Sequence, residues 1–153
     1  MKQRDQLWGR ADQGGVAAEA AIVVTVLLLM LLGSIEFAEA LWTSDAMLMA
    51  VEEAGRYAME YNHWAPVTCG AQTPPSNCPA PSNTPIANCS AWWAQQTLSA
   101  YQMPNISVSV REDTTSTPTT ITVCASYSFS LFAAPFLPSG PIKLTQKVTV
   151  PVI

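Results

Sequence analysis

The sequence has 153 residues, of which 49% are hydrophobic and 12% are charged. This is about half the charged fraction of an ordinary soluble protein, so we expect a segment that avoids water. The net charge of −4 argues against nucleic acid as a partner, and one histidine with four widely spaced cysteines argues against a metal centre or histidine-based catalysis, so we expect neither an enzyme nor a cofactor.

Proline and cysteine divide the chain into three parts. None of the 12 prolines precedes Pro66, and none of the four cysteines precedes Cys69. Because proline is the residue that breaks helices, nothing forbids one continuous helix over residues 15–62. We expect a short charged leader (1–14), this long helix, and a small α+β domain (63–153) that begins with a Pro- and Cys-rich loop (63–89).

The first half of the predicted helix has the composition of a membrane span. Residues 20–35 are uncharged, and extending the segment back to Val16 adds only the charge of Glu19. At 1.5 Å per residue, about 20 residues make a helix of ~30 Å, which matches the hydrocarbon thickness of a bilayer. A buried helix of a soluble protein is the alternative, but nothing else in the chain is large enough to bury it. We expect one span over about residues 16–35.

The charges on either side of the span predict its orientation. Three basic residues precede the span, and the next basic residue after it is Arg56. By the positive-inside rule, the leader stays in the cytoplasm and the C-terminal domain crosses the membrane. All four cysteines then lie on the translocated side, where disulfides form and persist.

Beyond the span the predicted helix becomes amphipathic. Its apolar residues are spaced mostly by three, four or seven positions, which places them on one helical face. This stripe packs either on the chain's own C-terminal domain or on neighbouring copies and partner helices, and both can hold along different lengths of the helix. The stripe consists of Phe37, Leu41, Leu48, Val51, Ala54, Ala58 and Tyr61.

The C-terminal domain is predicted to contain one short helix and three strands. Residues 90–101 suit a helix with Ser90 as its N-cap. Three later segments alternate apolar and polar residues, as half-buried strands do, and residues 114–120 suit the hairpin tip between the first two. The strands are predicted around 106–111, 121–129 and 144–152, which gives an antiparallel sheet of about three strands.

The four cysteines are predicted to form disulfides. Cys124 falls on the polar face of its strand, where a cysteine is a poor core residue and, in an oxidising compartment, is expected to be bridged. Cys69, Cys78 and Cys89 all lie in the Pro-rich loop, and four cysteines allow three pairings, among which the sequence does not choose. A zinc site is the weaker alternative, because the chain has no C-x-x-C motif.

Three interpretations of the N-terminal segment compete. It is an uncleaved signal anchor, or it is a secretory signal peptide cleaved after an A-x-A sequence that ends at Ala40. The third interpretation starts from the sequence GGVAAE (14–19), which resembles the prepilin class of type IV pilins. A dedicated peptidase cuts these proteins on the cytoplasmic side after a glycine. The resemblance implies cleavage between Gly14 and Gly15, which makes Glu19 the fifth mature residue, where pilins carry their glutamate.

Further sequence features narrow this resemblance. Gly-x-x-Glu-Phe (33–37), Ala-Gly-Arg-Tyr-Ala (54–58) and the final Val-Thr-Val-Pro (148–151) are similar to TadE-like proteins, the minor pilins (pseudopilins) of bacterial tight-adherence pili. The resemblance covers most of residues 14–62 and 119–151. It implies a non-catalytic protein of the bacterial inner membrane that takes part in pilus assembly and surface adhesion. The implied partners are inner membrane lipid, other pilins or pseudopilins, the pilus assembly machinery and the prepilin peptidase.

Two roles for Glu19 remain open. In the first, Glu19 lies near the cytoplasmic edge of the span and its carboxylate reaches back to water. In the second, it pairs with the new α-amino group of Gly15, in its own or an adjacent subunit, and fixes the register of subunits in a filament. The alternative to a pilin is a single-pass envelope protein that is never processed and that binds a partner through its disulfide-bonded domain.

Overall fold

A computed structural model describes residues 5–61, 69, 70, 72, 77–103, 105–130 and 141–152, and of residues 5–14 it describes the backbone alone. Over these residues the chain forms two helices and then three strands, which make one antiparallel sheet in the order β1-β2-β3. This architecture confirms the predicted α+β class. The elements are α1 (Asp5–Glu60), α2 (Pro85–Ala100), β1 (Ser107–Asp113), β2 (Thr119–Phe129) and β3 (Ile142–Val152).

The chain divides into two compact units, residues 1–39 and 40–153. Helix α1 begins ten residues before its predicted start, because residues 5–14 contain no proline to stop it, and it ends within two residues of its predicted end. The last third of α1 belongs to the same unit as the sheet. Residues 40–60 of the predicted long helix therefore form part of the same unit as the C-terminal sheet.

The core of the second unit lies between the two helices and one face of the sheet. Val51 and Ala58 of the predicted stripe lie in this core and are fully buried. Leu41 and Leu48 are exposed, as is Phe37 in the first unit, so these three residues lie outside the buried core. The buried face of α1 is formed by Thr43, Ala46, Met47, Ala50, Val51, Ala54, Gly55 and Ala58.

Small residues on α1 let the helix lie close to the sheet. A Cβ atom on Gly55 would lie 3.2 Å from Cγ1 of Val150, so glycine fits here and a larger residue would press on β3. About three turns earlier on α1, the Ser44 hydroxyl accepts a hydrogen bond from Gln146 on β3 (2.8 Å). Helix α2 lies against β1 and β2. The two helices therefore form one layer over the sheet, which we call the helix layer.

Helix α2 begins earlier than the sequence predicts. Its N-cap is Thr84, whose hydroxyl accepts a hydrogen bond from the Ala87 N–H, and Pro85 occupies the first turn. The predicted N-cap, Ser90, is wrong, because it lies fully buried inside the helix. Proline is well tolerated in a first turn, since its missing N–H would have no helical partner there. Residues 85–89 are accordingly helical rather than part of the predicted loop, and most of residues 63–76 lie outside the described residues.

The sheet follows the alternation of the sequence. Val110, Val123 and Val148 lie side by side across the three strands, and all belong to the face that meets the helix layer. β3 starts two residues earlier than predicted, because Ile142 pairs with Phe129 at the end of β2. The opposite face of the sheet, which we call the outer face, carries mainly Ser, Thr and basic side chains, with Ser107, Ser109, Arg111, Thr120, Thr122, Cys124, Ser126, Ser128, Lys143, Thr145, Lys147 and Thr149.

Candidate functional site

The first unit presents an apolar helical surface. Every residue from 15 to 35 is exposed, and at 1.5 Å per residue this stretch is about 30 Å long. Its two hydroxyl side chains bond to the backbone of their own helix, Thr25 to the Ala21 carbonyl (2.7 Å) and Ser34 to the Leu31 carbonyl (2.8 Å). A hydroxyl satisfied in this way can face lipid without an unpaired donor. Over its described residues, α1 is long and apolar enough to cross a membrane.

The residues predicted to be processed lie at the start of this surface. Gly14 and Gly15 are both in the helical backbone of α1, and a Cβ built on Gly15 would meet no atom within 4 Å apart from the adjoining backbone of its own helix. Glu19 is exposed and follows Gly15 by four residues, which places it one turn further along the same helical face. Each glycine costs a helix about 1 kcal/mol relative to alanine, so the pair forms a weak point in α1. Cleavage at this point stays a prediction.

All four cysteines form disulfides, and the structure selects one of the three pairings. Cys69 pairs with Cys89 on α2, and Cys78 pairs with Cys124 on β2. The polar-face position of Cys124 explains its bond, because the outer face is where residues 77–84 cross the sheet. Among the described residues, no group of His, Cys, Asp and Glu side chains could hold a metal ion.

Residues 77–84, which we call the strap, close the free edge of β1. The Ser82 N–H donates to the Val110 carbonyl (3.0 Å), and the Ser82 hydroxyl accepts from the Glu112 N–H (3.0 Å). Gln72 completes this edge, since its amide oxygen accepts from the Val110 N–H (2.6 Å) and its amide nitrogen donates to the Ser82 carbonyl (3.0 Å). Sequence reasoning missed Gln72 and Ser82, because neither belongs to a periodic pattern.

A groove runs between α1 and α2 on the solvent side of the helix layer. It has a volume of about 400 Å³ and combines carboxylates with aromatic side chains. Tyr101 closes one end, where its hydroxyl donates toward the Met49 sulfur (3.6 Å). We call this feature the helix groove, and its lining residues are Met49, Glu52, Glu53, Arg56, Trp93, Thr97 and Tyr101.

An aromatic ladder connects the two helices beside the helix groove. Tyr57 stacks on Tyr61 with ring centroids 4.7 Å apart and on Trp93 with centroids 5.7 Å apart. Burial, and to a smaller extent the neighbouring Tyr61, raise the pKa of Tyr57 above its ordinary value of 10.0.

The long helix matches the model of a protein family. The family model described as TadE-like protein matches residues 14–61, about a third of the chain. No curated protein and no solved structure matches the chain significantly. The match confirms the resemblance inferred for the long helix. The resemblance inferred for residues 119–151 lies outside the match and stays a prediction.

Proposed function

We propose that this chain is a non-catalytic minor pilin (pseudopilin) that takes part in assembling a tight-adherence pilus and in surface adhesion. The observation that carries the proposal is the coincidence of the TadE-like match, residues 14–61, with a helix whose first part is exposed and apolar. TadE-like proteins are associated with such pili. An apolar helical surface of this length is stable in a bilayer or against other apolar helices, and a pilin uses both environments.

The N-terminal residues have separate roles in this proposal. Residues 1–14 are a cytoplasmic leader, which their basic residues hold on that side of the inner membrane, and residues 16–35 span the bilayer. A prepilin peptidase cuts between Gly14 and Gly15. The glycine pair favours this step, because a protease needs locally extended backbone and two glycines lower the cost of opening the helix there.

Cleavage creates a new charge close to Glu19. The α-amino group of Gly15 becomes the first group of the chain, four residues from the Glu19 carboxylate on the same helical face. In an apolar environment neither charge is stable alone, so the two are expected to pair, within one subunit or between neighbours. Such a pair specifies register more than it adds stability, since both groups lose their hydration.

In this proposal the C-terminal domain lies outside the cytoplasm, and exposed apolar residues of α1 bind other components of the pilus. Two disulfides suit a domain that lies outside the cytoplasm. Phe37, Leu41 and Leu48 are exposed on α1, and we propose that they pack against helices of other pilins or pseudopilins and of the assembly machinery. Exposed apolar side chains in a row along one helix are typical of an interaction surface.

The proposal is tested in a strain that lacks the chain and is complemented with variants. Gly14→Asp places a carboxylate at the proposed cleavage bond, and Gly9→Asp makes the same change within the leader as a matched control. We expect Gly14→Asp to abolish sheared pili and surface adhesion, while Gly9→Asp restores both to the level of the natural chain. Normal piliation with Gly14→Asp would contradict the processing step, and normal piliation without the chain would contradict the function.

A further inference from the structure

The second unit carries a marked excess of acidic groups on its helix layer. Four exposed carboxylates and one guanidinium lie on the part of α1 from residue 40 onward, and α2 has no charged residue. The helix layer therefore has a net charge of −3. The carboxylates are those of Asp45, Glu52, Glu53 and Glu60, and the guanidinium is that of Arg56.

The outer face of the sheet has the opposite charge. Arg111, Lys143 and Lys147 stand on it, against one carboxylate, Asp113, so its net charge is +2. Lys147 lies beside Cys124 and is exposed, whereas Lys143 donates a hydrogen bond to the Asn77 side chain of the strap (3.4 Å). Because the helix layer covers one face of the sheet, the acidic and basic surfaces lie on opposite sides of the same unit.

The spacing of charges on the two surfaces is similar. Lys143 and Lys147 are four residues apart on a strand, a distance of about 13 Å at 3.3 Å per residue. Asp45 and Glu52 are seven residues apart on a helix, about 11 Å at 1.5 Å per residue. Long lysine side chains readily cover a difference of this size, so two lysines can face two carboxylates at once.

The helix groove also suits the chemistry of a lysine side chain. Met49, Trp93 and Tyr101 offer an apolar and aromatic surface to the aliphatic stem, and Glu52 and Glu53 offer carboxylates to the ammonium group. Arg56 also lines the groove, so the two carboxylates face one guanidinium and the lining keeps a net charge of −1. An aromatic face attracts a cation that approaches it, and this attraction grows as water is excluded. A lysine from outside the unit would therefore find an apolar surface for its stem, and both an aromatic face and a carboxylate for its ammonium group, in one groove.

We infer that the helix groove binds the outer sheet face of a second copy of this chain, with Lys147 entering beside Glu52 and Glu53 and Lys143 facing Asp45. Different surfaces meet in such a contact, so it is heterologous, and repetition adds copies in one direction instead of closing a dimer. The inference goes beyond the proposed function, because it concerns the second unit alone and holds whether or not the leader is removed. Two copies anchored in one membrane also meet at a high effective concentration, which favours a contact of modest size.

The contact is tested on the full chain in detergent micelles by carbodiimide coupling, which joins a carboxylate to a lysine that touches it. A mixture of isotopically labelled and unlabelled chains separates links between copies from links within one copy. We expect a ladder of cross-linked species at low salt, with peptides joining Glu52 or Glu53 to Lys147 of another copy. Raising the salt should weaken the ladder, because exposed charges are screened beyond about 10 Å at 0.1 M salt.

Charge-reversal variants distinguish this contact from nonspecific association of the chains. Glu52→Lys with Glu53→Lys, or Lys143→Glu with Lys147→Glu, should each reduce the cross-linked fraction at least about tenfold, since each change removes one of the two reacting groups and turns attraction into repulsion at two sites. Combining all four changes should restore the ladder, and Glu60→Lys, which lies outside the groove, should leave it unchanged. These residues are exposed, so we expect the variants to fold like the natural chain. Near-ultraviolet circular dichroism checks this. Absence of the ladder in the natural chain, links to other residues or other proteins, or failure of the combined variant to restore it would overturn the inference.

Discussion

The bond between Cys78 and Cys124 is predicted to be the largest covalent contribution to the stability of the second unit. It joins residues 46 positions apart and holds the strap on the outer face of β2. A crosslink stabilises mainly by restricting the unfolded chain, and the chain-entropy relation for a loop of this length gives about 4 kcal/mol at 25 °C. We expect Cys78→Ala with Cys124→Ala to lower the free energy of unfolding by about that amount.

The second disulfide provides an internal comparison. Cys69 and Cys89 are 20 positions apart, for which the same relation gives about 3 kcal/mol. A variant that mixes the pairs, Cys78→Ala with Cys89→Ala, breaks both bonds although it also removes only two sulfurs. Its expected loss is about 7 kcal/mol, which is comparable to the whole stability of a small domain, so this variant is expected to be largely unfolded.

The assay is urea unfolding of the full chain in detergent micelles, followed by near-ultraviolet circular dichroism, with intact mass to count disulfides. The predicted order of stability is the natural chain, then the two matched double variants, then the mixed variant. The reasoning about pairing would be refuted if the mixed variant were as stable as either matched variant, because that result belongs to a different pairing of the same four cysteines. A loss below about 1 kcal/mol in both matched variants would refute the entropic estimate.

Three further substitutions test the packing, the cap and the electrostatics of the second unit. Gly55→Leu should lower the free energy of unfolding by about 1–3 kcal/mol, because its side chain would press on Val150 where even a Cβ lies 3.2 Å away. Thr84→Ala should cost about 1 kcal/mol through loss of the α2 cap. Hydrogen bonds from the Thr115 hydroxyl and N–H hold the pKa of Asp113 below its ordinary value of 3.8, so its stabilising contribution is present above that pH and is lost as the pH falls below it. Asp113→Asn should therefore reduce the fall of the melting temperature between pH 5 and about pH 2.

Each of these predictions has a matched control measured by the same thermal or urea unfolding. Gly55→Ala adds a single carbon and should cost less than Gly55→Leu, and equal stability of Gly55→Leu and the natural chain would show that α1 does not lie close to β3. Thr84→Ser keeps a capping hydroxyl and should retain most of the stability that Thr84→Ala loses. Glu53→Gln removes an exposed carboxylate whose side chain is outside this turn, and an effect of Asp113→Asn no larger than that of Glu53→Gln would contradict the proposed hydrogen bonds.

The periodic features of the sequence predicted the sheet correctly. Alternation of apolar and polar residues fixes which side of a strand meets the core, and Ile121, Val123 and Ala125 of β2 follow it. Cys124 and Ser126 on the outer face are buried as well, which the alternation does not predict. The long helix was equally predictable, because its sequence lacks proline and stays apolar over the length of a bilayer. Such signals come from neighbouring residues in the chain, so no tertiary information is needed to interpret them.

The face of α1 that packs on the sheet was only partly predictable. Leu48 has the more hydrophobic side chain, yet it is exposed, while Ala50 and Ala54 are buried. Helix α1 packs on the sheet through the face whose small residues permit close approach, as Gly55 does beside Val150. Hydrophobicity alone does not report this, because several overlapping stripes on one helix satisfy the same spacing.

The strap and the disulfide pairing depend on contacts between distant parts of the chain. Gln72 binds the edge of β1 at a separation of 38 residues, and no local pattern marks it for that role. The three possible cysteine pairings are equivalent in the sequence, and only the crossing of the outer face by the strap brings Cys78 to Cys124. The start of α2 was missed for a different reason, since Pro85 suits both a loop and a first helical turn.

The mature N-terminus tests the central proposal most directly. The chain is purified from the membranes and pili of its own cells, and its first residue is determined by intact mass and by sequencing of the N-terminal peptide. We predict that the mature chain starts at Gly15, with Glu19 as its fifth residue. A chain that starts at Met1 would contradict processing and leave an uncleaved membrane anchor, and one that starts at Leu41 would contradict the membrane-held pilin altogether.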